Sequence, residues 1–206
     1  MKFPSKESKQ KAGAAVKGCF ERDPQFQVSE PRKLKPKMTI VGIPVSFSDS
    51  EIITSIIEKS TEIKDLVNRS YTLELCFTKT KGEYKHAVIK MSPEIRSLIA
   101  NRNGQIYVGL SSCKAYDRFW VTQCYHCQGF GHVSSKCSKK DEPPTCSFCA
   151  GRHESRSCTN KSSPSCCNCS ALEDRSGPVN HFASSMNCPT MVVQRQRIIE
   201  NTELSA

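Results

Sequence analysis

Short apolar runs with the period of a β-strand alternate with segments of helical period in the first half of the chain. The run 38–43 predicts a strand that ends at Pro44. Residues 71–78 and 84–91 alternate between apolar and polar side chains, which predicts two half-buried strands joined by a turn. A last strand is predicted over 106–110. The side chains predicted to face inward on these three strands are Tyr71, Leu73, Leu75, Phe77, Ala87, Ile89, Met91, Ile106, Val108 and Leu110.

Two helices are predicted between these strands from their capping signals. Ser48 and Glu51 have the spacing of a capping box, and apolar residues follow at helical spacing over 52–57. A second start signal lies at 92–94, where serine, proline and glutamate suit the first turn of a helix that Gly104 ends. The order βαββαβ within about 75 residues predicts an α+β, ferredoxin-like domain over 38–120.

The RNA-recognition motif is a nucleic-acid-binding version of this fold, in which aromatic side chains on the sheet stack against bases. The sequence resembles it in element order. Tyr84, His86 and Val88 take the outward positions of the third strand, where that motif usually has one basic and two aromatic residues. The first strand offers no outward aromatic residue. An RNA-recognition-motif-like sheet that reads RNA and a ferredoxin-like interaction domain therefore remain equally open.

Cysteine distinguishes the second half of the chain. Ten of the 13 cysteines lie between Cys124 and Cys188, and three of the five histidines lie among them. The first ten residues hold three lysines and no apolar run, so we predict no secretory signal and an intracellular location. In a reducing compartment an odd number of cysteines disfavours a disulfide framework. Clustered cysteine and histidine then indicate zinc.

The most specific motif is Cys124-x2-Cys127-x4-His132-x4-Cys137, within a unit predicted over 121–138. It resembles the retroviral-type CCHC zinc knuckle, including an aromatic residue, Tyr125, after the first cysteine. A two-residue gap lets two thiolates of one turn reach the same tetrahedral ion, and the longer gaps close a loop over it. Because so small a unit has almost no apolar core, metal binding would supply its folding free energy.

Two further CCHC units are predicted, over 145–159 and, with weaker spacing, over 165–190. Their gaps are x2, x3, x4 and x2, x11, x6, and Cys167 is a spare thiol beside the third set. The spacers between the units are rich in serine, lysine and proline, which predicts flexible tethers. Three zinc ions per chain are predicted, with the ligands Cys124, Cys127, His132, Cys137, Cys146, Cys149, His153, Cys158, Cys166, Cys169, His181 and Cys188.

The formal net charge of +10 predicts a polyanionic partner. Residues 1–37 hold ten basic and four acidic side chains and no sustained periodicity, which predicts a disordered basic arm. Whether this arm binds nucleic acid or only aids solubility stays open. Residues 191–206 are predicted to be a C-terminal tail. No run of apolar residues is long enough to cross a membrane, so no membrane partner is predicted.

A βαββαβ domain followed by three zinc knuckles resembles the Gag-like protein of the first open reading frame of non-LTR (LINE-type) retrotransposons, particularly arthropod ones. The third unit, from His181 through Ala183 to Cys188 and Pro189, is similar to the family's His-x-Ala…Cys-Pro ending. The resemblance implies binding of single-stranded RNA, with single-stranded DNA as a second candidate. It also implies self-association, packing of the element's transcript into ribonucleoprotein particles, and a cytoplasmic or nuclear location.

Nucleic-acid contacts are predicted from side chains around the zinc ligands. Aromatic rings would stack on unpaired bases and basic side chains would hold phosphates. The predicted contacts are Tyr125, Phe130, Val133, Lys136, Phe148 and Arg152. The alternative for Tyr125 and Phe130 is that they only cover the metal, and Trp120 is expected to pack at the domain junction.

Two other function classes compete with nucleic-acid binding. A zinc-stabilised protein–protein adaptor is favoured by the weak sheet face and by the acidic pair Glu173 and Asp174 of the third unit, and a host-domesticated zinc-knuckle protein is a further alternative. An enzyme is not predicted, because a catalytic zinc keeps an open coordination position and each motif here supplies four protein ligands. No small-molecule substrate is predicted.

Overall fold

A computed structural model describes residues 33–172 and 177–204, which contain a mixed α+β domain followed by three cysteine/histidine clusters. The strands are β1 (Lys37–Pro44), β2 (Leu73–Lys81), β3 (Tyr84–Met91), β4 (Gln105–Val108) and β5 (Ser111–Asp117). The helices are α1 (Asp49–Glu58), α2 (Thr61–Asn68), α3 (Pro93–Asn101), α4 (Cys167–Ser170) and α5 (Pro189–Glu200). Of the predicted basic arm, residues 1–32 lie outside the described residues.

The five strands form one antiparallel sheet in the order β2-β3-β1-β5-β4. The predicted last strand corresponds to β4, which lies at the edge, while the unpredicted β5 is the neighbour of β1. Gly109 adopts φ +61° in the turn between β4 and β5, a conformation that suits a tight hairpin. The prediction that Leu110 faces inward is wrong, because its position in this turn leaves it 96% exposed.

The capping box predicted at the start of α1 is confirmed. The Ser48 hydroxyl accepts from the Glu51 N–H at 3.3 Å, and the Glu51 carboxylate accepts from the Ser48 N–H at 2.7 Å. A second helix, α2, follows with Ser60 as its N-cap, which the sequence pattern did not predict. The predicted end of the last helix of the domain is confirmed, since Gly104 adopts φ +71° just beyond α3.

The helices α1, α2 and α3 share one apolar core with the inner face of the sheet. Isoleucine dominates this core because branched side chains pack closely between a pleated sheet and helices. The buried members are Met38, Ile40, Ile43, Ile52, Ile56, Ile63, Ala87, Ile89, Met91, Ile95, Ile99, Ile106, Val108, Cys113 and Ala115.

A β-bulge in β2 changes which face one aromatic side chain occupies. Leu75 pairs with Ile89, but the next pair joins Phe77 to Val88, so Cys76 is the extra residue. One additional residue moves every later side chain of the strand to the opposite face. Phe77 therefore lies on the outer face and is 50% exposed, and the prediction that it faces inward is wrong.

The predicted C-terminal tail begins as a helix. Residues 189–200 form α5, with Pro189 in its first turn and Met191 buried. Among the described helices, α5 included, none has both the length and the apolar character that crossing a bilayer requires.

Candidate metal centres

The twelve predicted ligands come together as three separate groups of three cysteines and one histidine. Within each group the ligand atoms all lie within 4.8 Å of one another. The prediction of three zinc sites is therefore confirmed at the level of the ligand groups. The groups are Cys124, Cys127, His132 and Cys137; Cys146, Cys149, His153 and Cys158; and Cys166, Cys169, His181 and Cys188.

The distances within these groups suit a tetrahedral ion. Two zinc-bound thiolates, each about 2.3 Å from the metal, lie about 3.8 Å apart at a tetrahedral angle. The Sγ atoms of Cys149 and Cys158 are 3.7 Å apart, and those of Cys169 and Cys188 are 3.4 Å apart. A disulfide would bring the sulfurs to about 2.05 Å. The donor set and its spacing are thus those of structural zinc, and the described cysteines are free thiols.

The first two units are closed by the same backbone hydrogen bond. The Cys124 N–H donates to the Gly129 carbonyl at 2.8 Å, and the Cys146 N–H donates to the Gly151 carbonyl at 2.8 Å. Each bond folds the loop after the second cysteine back over the first cysteine. The histidine that follows is thereby directed towards the two thiols.

The residue after the second cysteine has the same unusual conformation in both units. Gln128 adopts φ +60° and Ala150 adopts φ +61°, in the left-handed region. A short 3₁₀ turn then precedes the last cysteine, at 134–136 in one unit and 155–157 in the other. The two units therefore share one local fold, although the second is one residue shorter.

The third unit reaches a similar ligand arrangement by a different path. The single turn of α4 places Cys166 and Cys169 on the same side. The Cys166 N–H donates to the Val179 carbonyl at 2.9 Å, two residues before the ligand histidine, as in the second unit. Cys167 is not in the ligand group, as the gap of one residue to Cys169 predicted.

Two thiols are held in a state that favours metal binding. Burial raises the pKa of the Cys124 thiol, but hydrogen bonds from the backbone amides of Cys127 and His126 outweigh it and lower this pKa to about 6. In the second unit, backbone amides outweigh burial in the same way and lower the pKa of Cys146 to about 6. Zinc binds the thiolate, so these cysteines offer the ligating form at neutral pH.

The three units contact one another directly, which differs from the flexible tethers expected between them. The Thr145 N–H donates to the His126 carbonyl at 2.8 Å and joins the second unit to the first. The Ser165 N–H donates to the Phe148 carbonyl at 2.8 Å and joins the third unit to the second. The units supply backbone partners to one another, and the residues of 121–190 that the structure describes form one packed array.

Gln128 lies at the centre of this array and is only 3% exposed. Its side-chain amide donates to the carbonyls of Tyr125 at 3.0 Å and Thr145 at 3.2 Å. Its main-chain carbonyl accepts from the side-chain amides of Gln123 at 3.1 Å and Asn168 at 2.9 Å. Gln128 therefore links all three units. Sequence reasoning missed it, because nothing in the ligand spacing marks this position.

The third site also carries an apolar cluster that involves α5. Its buried members are Val121, Cys166, Cys169, Ala183, Cys188 and Met191. Beyond α5, the Leu34 N–H donates to the Asn201 carbonyl at 2.7 Å, and the Glu203 N–H donates to the Leu34 carbonyl at 2.9 Å. The segment that follows the third site is thus hydrogen-bonded to the segment that precedes β1.

The predicted nucleic-acid contacts occupy different environments. Tyr125 is 83% exposed, whereas Phe130 is partly buried against the apolar cluster of the third site. Phe148 packs edge-to-face with Phe182, their ring centroids 5.2 Å apart. The remaining three predicted contacts lie on the surface: Val133, Lys136 and Arg152.

A cleft of about 560 Å³ lies between the first two units, beside Tyr125. Hydroxyl and amide side chains dominate its lining, which also includes one guanidinium group and one carboxylate that pair with each other at 2.8 Å. The lining residues are Gln123, Tyr125, His126, Gln128, Ser134, Pro144, Thr145, Ser147, Glu154, Ser155, Arg156 and Ser184.

Trp120 does not pack at the junction between the sheet and the first unit. Its side chain is 60% exposed, and the Arg118 guanidinium lies 4.8 Å from the centre of its ring. The next residue, Val121, is buried in the apolar cluster of the third site instead. The prediction that Trp120 packs at this junction is therefore wrong, and the buried residue is its neighbour Val121.

No family model matches the chain, and neither a curated protein nor a solved structure matches it. The resemblance to Gag-like proteins stays a prediction.

Proposed function

We propose that the chain is a non-enzymatic, zinc-dependent protein that binds single-stranded nucleic acid, RNA in the first place. The observation that carries this proposal is an exposed aromatic side chain on a metal-organised array. Tyr125 immediately follows a zinc ligand, is 83% exposed and borders the cleft between two units. Because Tyr125 follows a zinc ligand, the metal site holds its backbone in place, which lowers the entropy lost when a base stacks on its ring.

The cleft offers the groups that an unpaired base requires. Its volume of about 560 Å³ is large enough for a planar base and its ribose. Hydroxyl groups such as those of Ser134 and Ser155 can hydrogen-bond the exposed edges of a base, which a duplex would hide. Arg156 lines the cleft, and because its Nε pairs with the Glu154 carboxylate at 2.8 Å, its Nη groups are the ones that can meet a phosphate. Lys136 and Arg152, both exposed, extend the positive charge along the first two units.

The biological role we propose is that of a Gag-like protein, which packages retrotransposon RNA into ribonucleoprotein particles inside the cell. The ligand spacing of the first unit and the His181–Pro189 ending of the third support it. The strand order β2-β3-β1-β5, with α1 and α3 packed on one face, further supports a ferredoxin-like, RNA-recognition-motif-like assignment for the sheet domain.

The proposal is tested by the affinity for labelled 20-nucleotide single-stranded RNA, single-stranded DNA and duplex DNA, each at two salt concentrations. We expect the single strands to bind more tightly than the duplex, and chelation of zinc to weaken binding at least tenfold. Equal affinity for all three, lost entirely at the higher salt, would leave only unspecific charge attraction and contradict the proposal.

A second candidate is a zinc-stabilised protein–protein adaptor. Exposed apolar side chains around the third unit favour it: Met186 is 56% exposed, and Val192 and Val193 on α5 are each 49% exposed. Pull-down of partners with and without nuclease separates the two candidates. Partners that remain after nuclease treatment and depend on zinc support the adaptor, whereas partners that disappear support nucleic-acid binding.

A further inference from the structure

The first two zinc units are hydrogen-bonded to each other at one residue. Thr145 donates its N–H to the His126 carbonyl at 2.8 Å, and its own carbonyl accepts from the Gln128 side chain at 3.2 Å. Within 121–138 and 145–159, which the structure describes throughout, every hydrogen bond between the two units ends on Thr145. Two bonds to a single residue constrain the angle between the units only weakly. A further connection is needed to hold the cleft between them open at a fixed width.

The third unit supplies this connection, because it is bonded to both of the others. Its Asn168 donates a side-chain amide to the Gln128 carbonyl of the first unit at 2.9 Å. Gln123 of the first unit donates in turn to the Ala183 carbonyl at 2.9 Å. The Ala183 N–H donates to the Ser147 carbonyl of the second unit at 2.9 Å. The first and second units are therefore joined through the third as well as directly.

Apolar side chains close the same two interfaces. Phe148 of the second unit packs edge-to-face with Phe182 of the third, their ring centroids 5.2 Å apart. Val121 and Phe130 of the first unit pack in the apolar cluster that surrounds the third site. One residue of the third unit, Ser184, itself lines the cleft. The third unit therefore borders the cleft and contacts the units on both sides of it.

The metal ligands of the third unit place the two residues through which it holds the others. Asn168 lies between Cys166 and Cys169 in α4, a single turn that is too short to persist alone. Ala183 follows His181 by two residues, on the other segment that contributes ligands. Eleven residues separate Cys169 from His181, so ligation of one ion by both segments fixes Asn168 relative to Ala183.

The charge of the third unit disfavours direct contact with a phosphate backbone. Its charged side chains are Glu173, Asp174 and Arg175, a net charge of −1 before any thiolate is counted. One lysine in the first unit, and two arginines against one glutamate in the second, give those units +1 each. Phosphates are therefore attracted to the first two units and repelled by the third.

We propose that the third zinc site is a positioning site for the nucleic-acid cleft. When its four ligands share one ion, the third unit holds the first two at the angle that forms the cleft. It thereby strengthens binding of a single strand without holding the phosphates itself. The inference rests on the proposed function and deepens it. By linkage, the strand must strengthen binding of the third ion by the same factor by which that ion strengthens binding of the strand.

Removing the third site from the full chain tests the positioning role. Cys166→Ser combined with Cys169→Ser should leave two zinc ions, counted by native mass spectrometry. We expect the affinity for labelled single-stranded RNA to fall by about tenfold, because the cleft then forms in only a fraction of the molecules. The two remaining ions show that the first two units are still folded.

A second variant tests the same point without removing a ligand. Asn168→Ala keeps all twelve ligands and removes the amide that holds the Gln128 carbonyl. It should bind three zinc ions, exchange the Ala183 amide faster and lose about fivefold in RNA affinity, the size of one lost hydrogen bond. Asn187→Ala is the matched control, because this exposed side chain of the same unit takes no part in the bonds described above. It should behave like the wild type.

Thiol alkylation read by peptide mass spectrometry measures the reciprocal effect at the third site alone. With a limiting amount of chelator, Cys188 becomes reactive as the third ion leaves. Bound RNA should slow alkylation of Cys188 by about tenfold in the wild type and in Asn187→Ala. The same RNA, at saturation, should slow it much less in Asn168→Ala.

The outcomes distinguish failure of this inference from failure of the proposed function. Wild-type RNA affinity of the two-zinc variant overturns the inference and leaves the proposed function standing, because the cleft then binds RNA without the third site. Protection of Cys188 that persists undiminished in Asn168→Ala also overturns it, since the third unit then meets the strand directly. If the wild-type chain binds no single strand, the proposed function fails and this inference fails with it.

Discussion

The sheet domain and the zinc array belong to the same chain, but different interactions stabilise them. Fifteen buried residues form the core of the sheet domain, and twelve of them are isoleucine, methionine or valine. The largest cluster of the array has six buried residues, and three of these are metal ligands. Apolar burial therefore stabilises the first region, while the second depends on metal and on hydrogen bonds between its units.

This difference means that the two regions should respond to different changes. Removing the metal deprives the array of the interaction that stabilises it and leaves the core of the sheet intact. Removing a core side chain does the reverse. One region can affect the other through the contacts that Leu34 makes with residues 201 and 203, and through the bond from the Arg96 guanidinium to the Leu204 carbonyl at 3.1 Å.

The largest effect expected is that of removing zinc. Structural zinc contributes about 10–16 kcal/mol of apparent binding free energy in zinc-finger peptides, so chelation should unfold the array. Hydrogen exchange followed by mass spectrometry should show the amides of Cys124, Cys146 and Cys166 losing protection, while β1 and β3 keep theirs. Equal loss of protection in both regions would show that they do not fold separately.

A core substitution should produce the opposite pattern. Ile89 is fully buried in β3, and Ile89→Ala should lower the free energy of unfolding of the sheet domain by about 2–5 kcal/mol. Leu110→Ala is the control, since this side chain is 96% exposed and should change stability by less than about 0.5 kcal/mol. Circular dichroism in denaturant measures both, and zinc content should not change in either variant.

The contacts between zinc units can be weakened without touching a ligand. Gln128→Ala removes the side chain that links the first two units and leaves the Thr145 carbonyl with one partner fewer, at a cost of about 1–3 kcal/mol. Alanine tolerates the left-handed backbone, since Ala150 adopts it in the second unit. We expect three zinc ions still to bind, but faster amide exchange at Thr145. Unchanged exchange there would mean that the units pack independently of Gln128.

The smallest changes concern the nucleic-acid contacts of the array. Tyr125→Ala should weaken single-stranded RNA binding by about 1–3 kcal/mol with little dependence on salt, because stacking releases no counterions. Lys136→Ala should weaken it less and flatten the salt dependence slightly. A salt titration of affinity measures both, with zinc content determined in parallel. Wild-type affinity of a zinc-loaded Tyr125→Ala protein would show that bases do not stack on Tyr125.

The sequence pattern predicted the features that depend on local spacing. Four strands, two capped helices and all twelve ligands follow from apolar periodicity, from capping residues such as Ser48 and from cysteine gaps. The pattern missed β5 because Cys113 and Ala115 are its only buried side chains and both are small. The bulge at Cys76 moves the later side chains of β2 to the opposite face of the sheet. The alternation of apolar and polar residues continues through it, so the sequence pattern could not predict the position of Phe77.

The packing of the three units could not be predicted for a related reason. Their contacts join backbone groups, as between Thr145 and His126, and every residue carries the same backbone groups. Gln128 is one polar residue among many in this half of the chain. Only its burial among three units shows what it does.

The central claim is that three Cys3His groups each hold one zinc ion and thereby organise the second half of the chain. Native mass spectrometry of the full chain, purified without chelator, tests it most directly. We expect a mass that corresponds to three zinc ions, and a loss of one ion when Cys166 and Cys169 are replaced by serine. A chain that carries no zinc while the amides of Cys124, Cys146 and Cys166 remain protected from exchange would contradict the claim.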